Sequence, residues 1–316
     1  MDRRSFLGTT FFGALAAGSV WSQSSPPLGT PEPAAPGFRR HKLGSMELLA
    51  INDGVVRRTL GSEFVTNASL EQVKALLASQ GLPTEYVDVP YTPFLVVSGD
   101  RRFLFDTGFA DNGPPTTGRL RANMEAAGYK LEDVTDVVIS HYHGDHINGL
   151  LKKDGSLVFP RAKVHVPAPE HAFWMDEARM NAAAPAARGA FQNARRVLGG
   201  IPAQQLVQFQ PGAEIAPGIA SSAAFGHTPG MCIFKVTSAG QSFHYVADVT
   251  NIPSLFARSP DWAVVFDMDP DMARVTRRRV FDSMVKDKAL TGGFHFPFPA
   301  FGTMEQADNG YQFKPV

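Results

Sequence analysis

Apolar and polar positions fall into short blocks along this chain. The stretch MELLAINDGVV, residues 46–56, alternates as a strand does. Residues 94–97 and 103–105 are apolar runs parted by Ser98-Gly99-Asp100, a hairpin signature, and the second run ends on Asp106-Thr107-Gly108. Leu120, Met124 and Ala127 recur at helical spacing, and Gly128 sits where such a helix would stop. Strands are expected over residues 134–141 and 162–167, and helices over 170–178 and 186–198. Two further strands, 231–238 and 241–248, flank an Ala239-Gly240 turn; a helix is expected over 271–286 and a strand over 290–295. Helices interleave with strands, and some strands form hairpins. That order predicts a layered α/β domain of mixed sheets rather than a doubly wound parallel one.

Composition narrows the partners. The 316 residues are 44% hydrophobic and 19% charged, as in a folded protein with a substantial core. Thirty basic residues balance thirty acidic ones without long runs of either sign, which argues against nucleic acid or an anionic membrane as partner. A small-molecule substrate is the expected partner. The single cysteine, Cys232, leaves no intramolecular disulfide and, in the apolar run MCIF, reads as a core residue.

The first residues read separately from the domain. Arg3-Arg4 precede a short, mildly apolar stretch, so residues 1–25 are expected to be a twin-arginine export signal, with a periplasmic or secreted destination. The stretch falls short of the roughly 20 residues that span a bilayer, so no stable membrane insertion is expected after processing. Proline-rich residues 26–37 read as a linker, and residues 38–316 as one catalytic domain without internal repeats.

The chemistry concentrates in ISHYHGDHINGL, residues 139–150. His141, His143, Asp145 and His146 fall within six residues on a loop leaving a strand, and Gly144 lets that loop fold tightly. Imidazole and carboxylate suit zinc, manganese, iron or cobalt. Four such groups could close one coordination sphere or share in two. Three more ligand-type residues stand at strand edges: His227 in FGHTPGM, Asp248 in FHYVADVTN and His295 in LTGGFHFPFP. His41, His165, His171 and His244 lack that setting and read as surface or core residues.

His-x-His-x-Asp-His, a Gly-His loop, a strand-end Asp and a later His together resemble the metallo-β-lactamase-fold hydrolases, along essentially all of the chain after the linker. The resemblance implies an αβ/βα sandwich of two mixed β-sheets flanked by helices. It implies two divalent metal ions, zinc foremost: one held by His141, His143 and His227, the other by Asp145, His146 and His295, with Asp248 bridging. Asp106 would support the ligands from behind. A metal-bridging hydroxide would attack the substrate, and Asp145 would carry a proton to the leaving oxygen.

Within the family, TGRLRANMEAAGY, Phe173-Trp174, FGHTPG, HFPFPAFG and GYQFKPV resemble methyl parathion hydrolase and its lactonase and aryl-esterase relatives. The resemblance places Trp174 and Phe191 in an aromatic pocket. A third aromatic of that pocket is replaced near Gly113, with Phe109 close by. Hydrolysis of a lactone or aryl ester is therefore the expected activity, with phosphotriester hydrolysis the alternative. The bridging Asp248 argues against β-lactam hydrolysis. The lack of a second domain and of spare cysteines argues against the iron-flavin redox branch. Relatives are often dimers, which leaves a homodimer open.

Overall fold

A computed structural model describes residues 28–316. The expected signal and the first two linker residues lie outside the described residues. In chain order the elements are β1 (Phe38–Leu43), β2 (Met46–Ile51), β3 (Gly54–Thr59), α1 (Leu70–Ala78), β4 (Tyr86–Tyr91), β5 (Phe94–Ser98), β6 (Arg101–Phe105), α2 (Leu120–Ala126), β7 (Asp136–Val138), α3 (Gly144–Ile147) and β8 (Lys163–Pro167). Then come α4 (Ala168–Trp174), α5 (Glu177–Ala182), α6 (Pro185–Gly199), β9 (Leu206–Phe209), β10 (Glu214–Ala216), β11 (Ile219–Ala223), β12 (Cys232–Ser238) and β13 (Gln241–Tyr245). Last are α7 (Pro270–Asp287), β14 (Leu290–Gly292), β15 (Phe301–Ala307) and β16 (Gly310–Pro315).

Two seven-stranded mixed sheets face each other, in the orders β1-β2-β5-β6-β7-β8-β9 and β10-β11-β12-β13-β14-β15-β16. The first turns from antiparallel to parallel at β6, and the second is antiparallel except between β13 and β14. Strands bury both faces by simple alternation. Phe94, Val96, Phe103 and Phe105 point between the sheets, where they meet Phe234, Phe243 and Tyr245. Leu95 and Leu104 point the other way, into a second cluster with Leu120 and Met124 of α2 and Val197 and Leu198 of α6. The layered mixed-sheet expectation therefore holds, and Cys232 is buried as expected.

Several expected elements are cut short. Residues 46–56 are two strands, because β3 leaves the first sheet to pair with β4. The break falls at Asn52 and Asp53, both buried, followed by Gly54 at φ +148°. The strand expected over 134–141 ends at Val138, where the Ser140 N–H is taken by the Asp106 carboxylate. The strand expected over 241–248 ends at Tyr245, and Asp248 sits in a short 3-10 turn. His295 likewise follows β14 on a turn. The helix expected over 170–178 is two helices, since Asp176 caps a new one by accepting from the Arg179 N–H. Several strands without marked alternation, β1, β9–β11, β15 and β16 among them, were not anticipated.

The proline-rich stretch touches the domain near its start: the Leu28 carbonyl accepts from Arg57 Nη1 at 2.6 Å. Among the described residues, no helix is long and apolar enough to cross a membrane.

Candidate metal centre

Strand ends deliver the site. Asp106 follows β6, the histidine loop follows β7, Asp248 follows β13, His295 follows β14, and His227 precedes β12. Within it, three sets of potential ligand atoms lie within 4.8 Å of one another: His141, His143 and His227; His141, His146 and Asp248; Asp145, His146 and His295. All seven residues singled out from the sequence thus meet in one place.

Each ring is oriented from outside. Asp106, at φ +56° and fully buried, gathers four donors. Its Oδ1 accepts from the Ser140 N–H at 2.8 Å. Its Oδ2 accepts from Ser140 Oγ at 2.7 Å, Tyr245 Oη at 2.6 Å and His146 Nδ1 at 2.8 Å. Because the Ser140 hydroxyl donates to Asp106, it is an acceptor for His141 Nδ1, 3.0 Å away. His227 Nδ1 donates to Asp267 Oδ1 at 2.9 Å, and Asp267 is held in turn by buried Arg277 at 3.2 Å. His295 Nδ1 donates to the Pro90 carbonyl at 2.8 Å. With their outer nitrogens engaged as donors, four imidazoles turn Nε2 lone pairs toward the centre.

There the pattern is one of acceptors facing acceptors. Asp248 Oδ1 stands 3.2 Å from His146 Nε2, and its Oδ2 stands 3.3 Å from His227 Nε2 and 3.2 Å from His295 Nε2. Asp145 Oδ2 lies 3.2 Å from His295 Nε2. His227 Nε2 meets His143 Nδ1 at 2.9 Å. His141 Nε2, His146 Nε2 and Asp248 Oδ1 are buried without any hydrogen-bond partner. Buried polar atoms are rarely left so, and cations would satisfy all three. The donor set fits divalent metal.

Electrostatics agree. Burial works against charge on His227 and His295, yet Asp248, with Asp267 beside the first and Asp145 beside the second, lifts both to about 9. Burial likewise opposes ionisation of Asp145 and Asp248, but the surrounding histidines hold both well below the carboxylate range. Burial, reinforced by neighbouring histidines, pushes His143 down to about 3. Positive charge is favoured here, whether carried by protons or by metal ions.

Above the ligands opens a cavity of about 1400 Å³. His143, Asp145, His227, Asp248 and His295 line its floor, while Tyr91, Phe109, Trp174, Phe191 and Met268 are among its apolar walls. Trp174 and Phe191 are almost wholly buried and also border the cavity, their rings 4.7 Å apart. Phe109 meets Tyr91 edge-on at 4.9 Å. A Cβ on Gly113 would come within 2.6 Å of the Phe109 side chain, so Phe109 occupies the space beside that glycine. The other histidines stay outside, as expected: His165 pairs with Asp136, His171 with the Tyr142 hydroxyl, and His41 packs on Phe301. His244 lies outside too, buried in β13. Sequence reasoning missed Ser140, Tyr245, Asp267, Arg277 and Glu170. Only Ser140, directly before the motif, carried a positional hint.

The chain belongs to the metallo-beta-lactamase superfamily, whose model matches residues 87–291, and it has that superfamily's fold. The match spans six of the seven ligand candidates and stops just short of His295. Among solved structures, the chain is similar to the dizinc quorum-quenching lactonase AidC, crystallised with the product N-hexnoyl-L-homoserine. The two are 26% identical over 89% of this chain and 97% of that one, with a TM-score of 0.79. The hydrolase AbOPH is also 26% identical over the same shares, with a TM-score of 0.82. A probable metal-dependent hydrolase from Staphylococcus aureus shares the fold at 18% identity, covering 87% of this chain and 99% of that one, with a TM-score of 0.67. A comparison with curated proteins finds no match.

Proposed function

We propose that this protein is a dinuclear-metal hydrolase, foremost a dizinc one, that opens a lactone or cleaves an aryl ester. The carrying observation is Asp248: its two oxygens reach His146 on one side and His227 on the other, within 3.3 Å of each. One carboxylate thereby touches both ligand groups. His141, His143 and His227 would hold one ion and Asp145, His146 and His295 the other. The similarity to a dizinc lactonase supports both the metal and the substrate class.

Two bound divalent ions would lower the pKa of a water molecule and polarise the scissile carbonyl. The protein's own residues do the rest. Asp248 fixes the separation of the ligand groups, with Asn251 Nδ2 donating to it at 2.7 Å. Asp145 keeps a side chain 22% exposed and borders the cavity, where its carboxylate can take up a proton from the attacking water and pass it to the leaving oxygen. Trp174, Phe191 and Phe109 give an apolar wall that orients the substrate and excludes water.

Assays of purified protein against lactones, aryl esters and a phosphotriester, run with metal analysis, test this. Lactone or aryl-ester turnover is expected to dominate, with two metals per chain. A dominant phosphotriester rate would move the protein to the methyl parathion hydrolase type. Export by the twin-arginine route is a separate proposal, resting on Arg3-Arg4 and the apolar stretch after them; cell fractionation with N-terminal sequencing checks it.

A further inference from the structure

Glu170 has no exposed surface and, among the described residues, no cationic partner, yet its carboxylate accepts four hydrogen bonds. Oε1 accepts from the Tyr142 N–H at 2.9 Å and the Trp174 indole Nε1 at 2.7 Å. Oε2 accepts from Thr228 Oγ1 and the Gly230 N–H, each at 2.8 Å. These donors belong to three separate pieces of the site. Tyr142 lies between His141 and His143. Thr228 and Gly230 follow His227. Trp174 walls the cavity.

The approach that makes this possible is built in. A Cβ on Gly230 would fall 2.1 Å from the Glu170 backbone nitrogen, so only glycine lets that loop reach α4. Tyr142 is anchored at its other end, its hydroxyl 2.9 Å from His171 Nδ1. Four donors on two oxygens leave no place for a carboxyl proton, which would have to point at one of them. Burial raises this carboxyl's pKa on balance, and the four donors offset part of that rise. A glutamine could accept on one side only, turning its NH2 against two donors.

We propose that Glu170, as a carboxylate, is a positioning residue that holds the His141–His143 loop, the His227 loop and the Trp174 indole in one fixed arrangement. It thereby sets the 2.9 Å meeting of His143 and His227 and the place of the cavity wall above them. Among the described residues no hydrogen bond joins Glu170 to Asp145, His146 or His295; His146 is linked at one remove, its N–H donating to the His143 carbonyl at 3.0 Å. Its influence should therefore fall on one ligand group and spare the other. The inference rests on the metal-centre proposal.

The test is zinc binding by the full chain, measured by chelator competition, with the Trp174 indole N–H followed by NMR. In Glu170→Gln, one of the two zinc ions should be released about tenfold more readily, the second held as in wild type, and the indole resonance shifted. Both ions held as in wild type with an unmoved indole, or both weakened equally, would overturn the proposal. Should Glu170→Gln fail to fold, Thr228→Val decides, since it removes one donor of four. A smaller weakening of the same single ion, restored by Thr228→Ser, supports the role; unchanged zinc binding in Thr228→Val overturns it. Wild-type protein that binds no zinc would instead overturn the metal-centre proposal itself.

Discussion

His146 donates its Nδ1 proton to Asp106 across 2.8 Å, with both side chains fully buried. That bond turns the Nε2 lone pair toward the centre and fixes the ring plane. The same carboxylate oxygen serves Ser140 and Tyr245, so one residue aligns the ligands after β7 and pins the last residue of β13. Replacing Asp106 by Asn puts an NH2 or a single acceptor where several donors converge. Asp106→Asn should weaken metal binding or activity by about 10–100-fold, checked by metal titration beside kcat/KM.

Among the described residues, Asp248 is the one carboxylate within reach of both ligand groups. Asp248→Ala should remove most hydrolytic activity and lower the metal content from two ions per chain, as read by elemental analysis. Full activity with a single ion in that variant would sink the two-metal proposal.

Metal removal should be visible in stability as well as in rate. Folded protein gathers the ligands that the unfolded chain scatters, so bound metal stabilises the native state by mass action. Treatment with a strong chelator should abolish hydrolysis and lower Tm, and added zinc should restore both. An unchanged Tm and rate after verified metal loss would contradict the proposal.

A pH effect is expected far from the centre. Asp136 sits at the edge of β7, where it accepts from Arg101 Nη2 at 2.7 Å and Thr135 Oγ1 at 2.7 Å, with His165 Nε2 2.8 Å away. Burial raises its pKa, but His165, Arg101 and Thr135 outweigh that and bring it down from 3.8 to about 2. A depressed folded-state pKa contributes stability that is complete above about pH 4 and is lost as pH falls toward 2. After allowance for the part-exposed arginine, the loss is about 1–2 kcal/mol. The stability gap between wild type and Asp136→Asn should shrink by that amount across this window in denaturant titrations; a constant gap would refute it.

The cavity wall offers a steric test. Ala187 on α6 borders the cavity. Ala187→Trp should raise KM severalfold for bulky aryl esters and change it little for a small lactone. Equal effects on both would mean that substrates do not reach this wall.

The seven ligand candidates were legible because metal chemistry restricts residue type. Few sequences gather His-x-His-x-Asp-His, and each remaining candidate stood at the end of an apolar run. The central strands were legible for a related reason: Phe94–Ser98 and Arg101–Phe105 bury both faces, so their apolar content stands out. Peripheral strands such as β1 carry charged residues over most of their length and left no such mark.

By itself, then, the sequence determined which side chains are the candidate ligands, since donor chemistry is a property of single residues. Only the tertiary structure decided how those atoms are aimed. Asp267, 40 positions from His227, orients it; the Pro90 carbonyl, 205 positions from His295, orients that ring; Glu170 joins two ligand loops and a cavity wall. The terminations of β2 and β7 belong to the same class: buried Asp53 accepts from the Phe109 and Leu120 N–H groups, and Asp106 takes the Ser140 N–H, all partners distant in sequence. Hydrogen bonds between distant residues depend on which strand ends the fold brings together, and local periodicity carries no record of that.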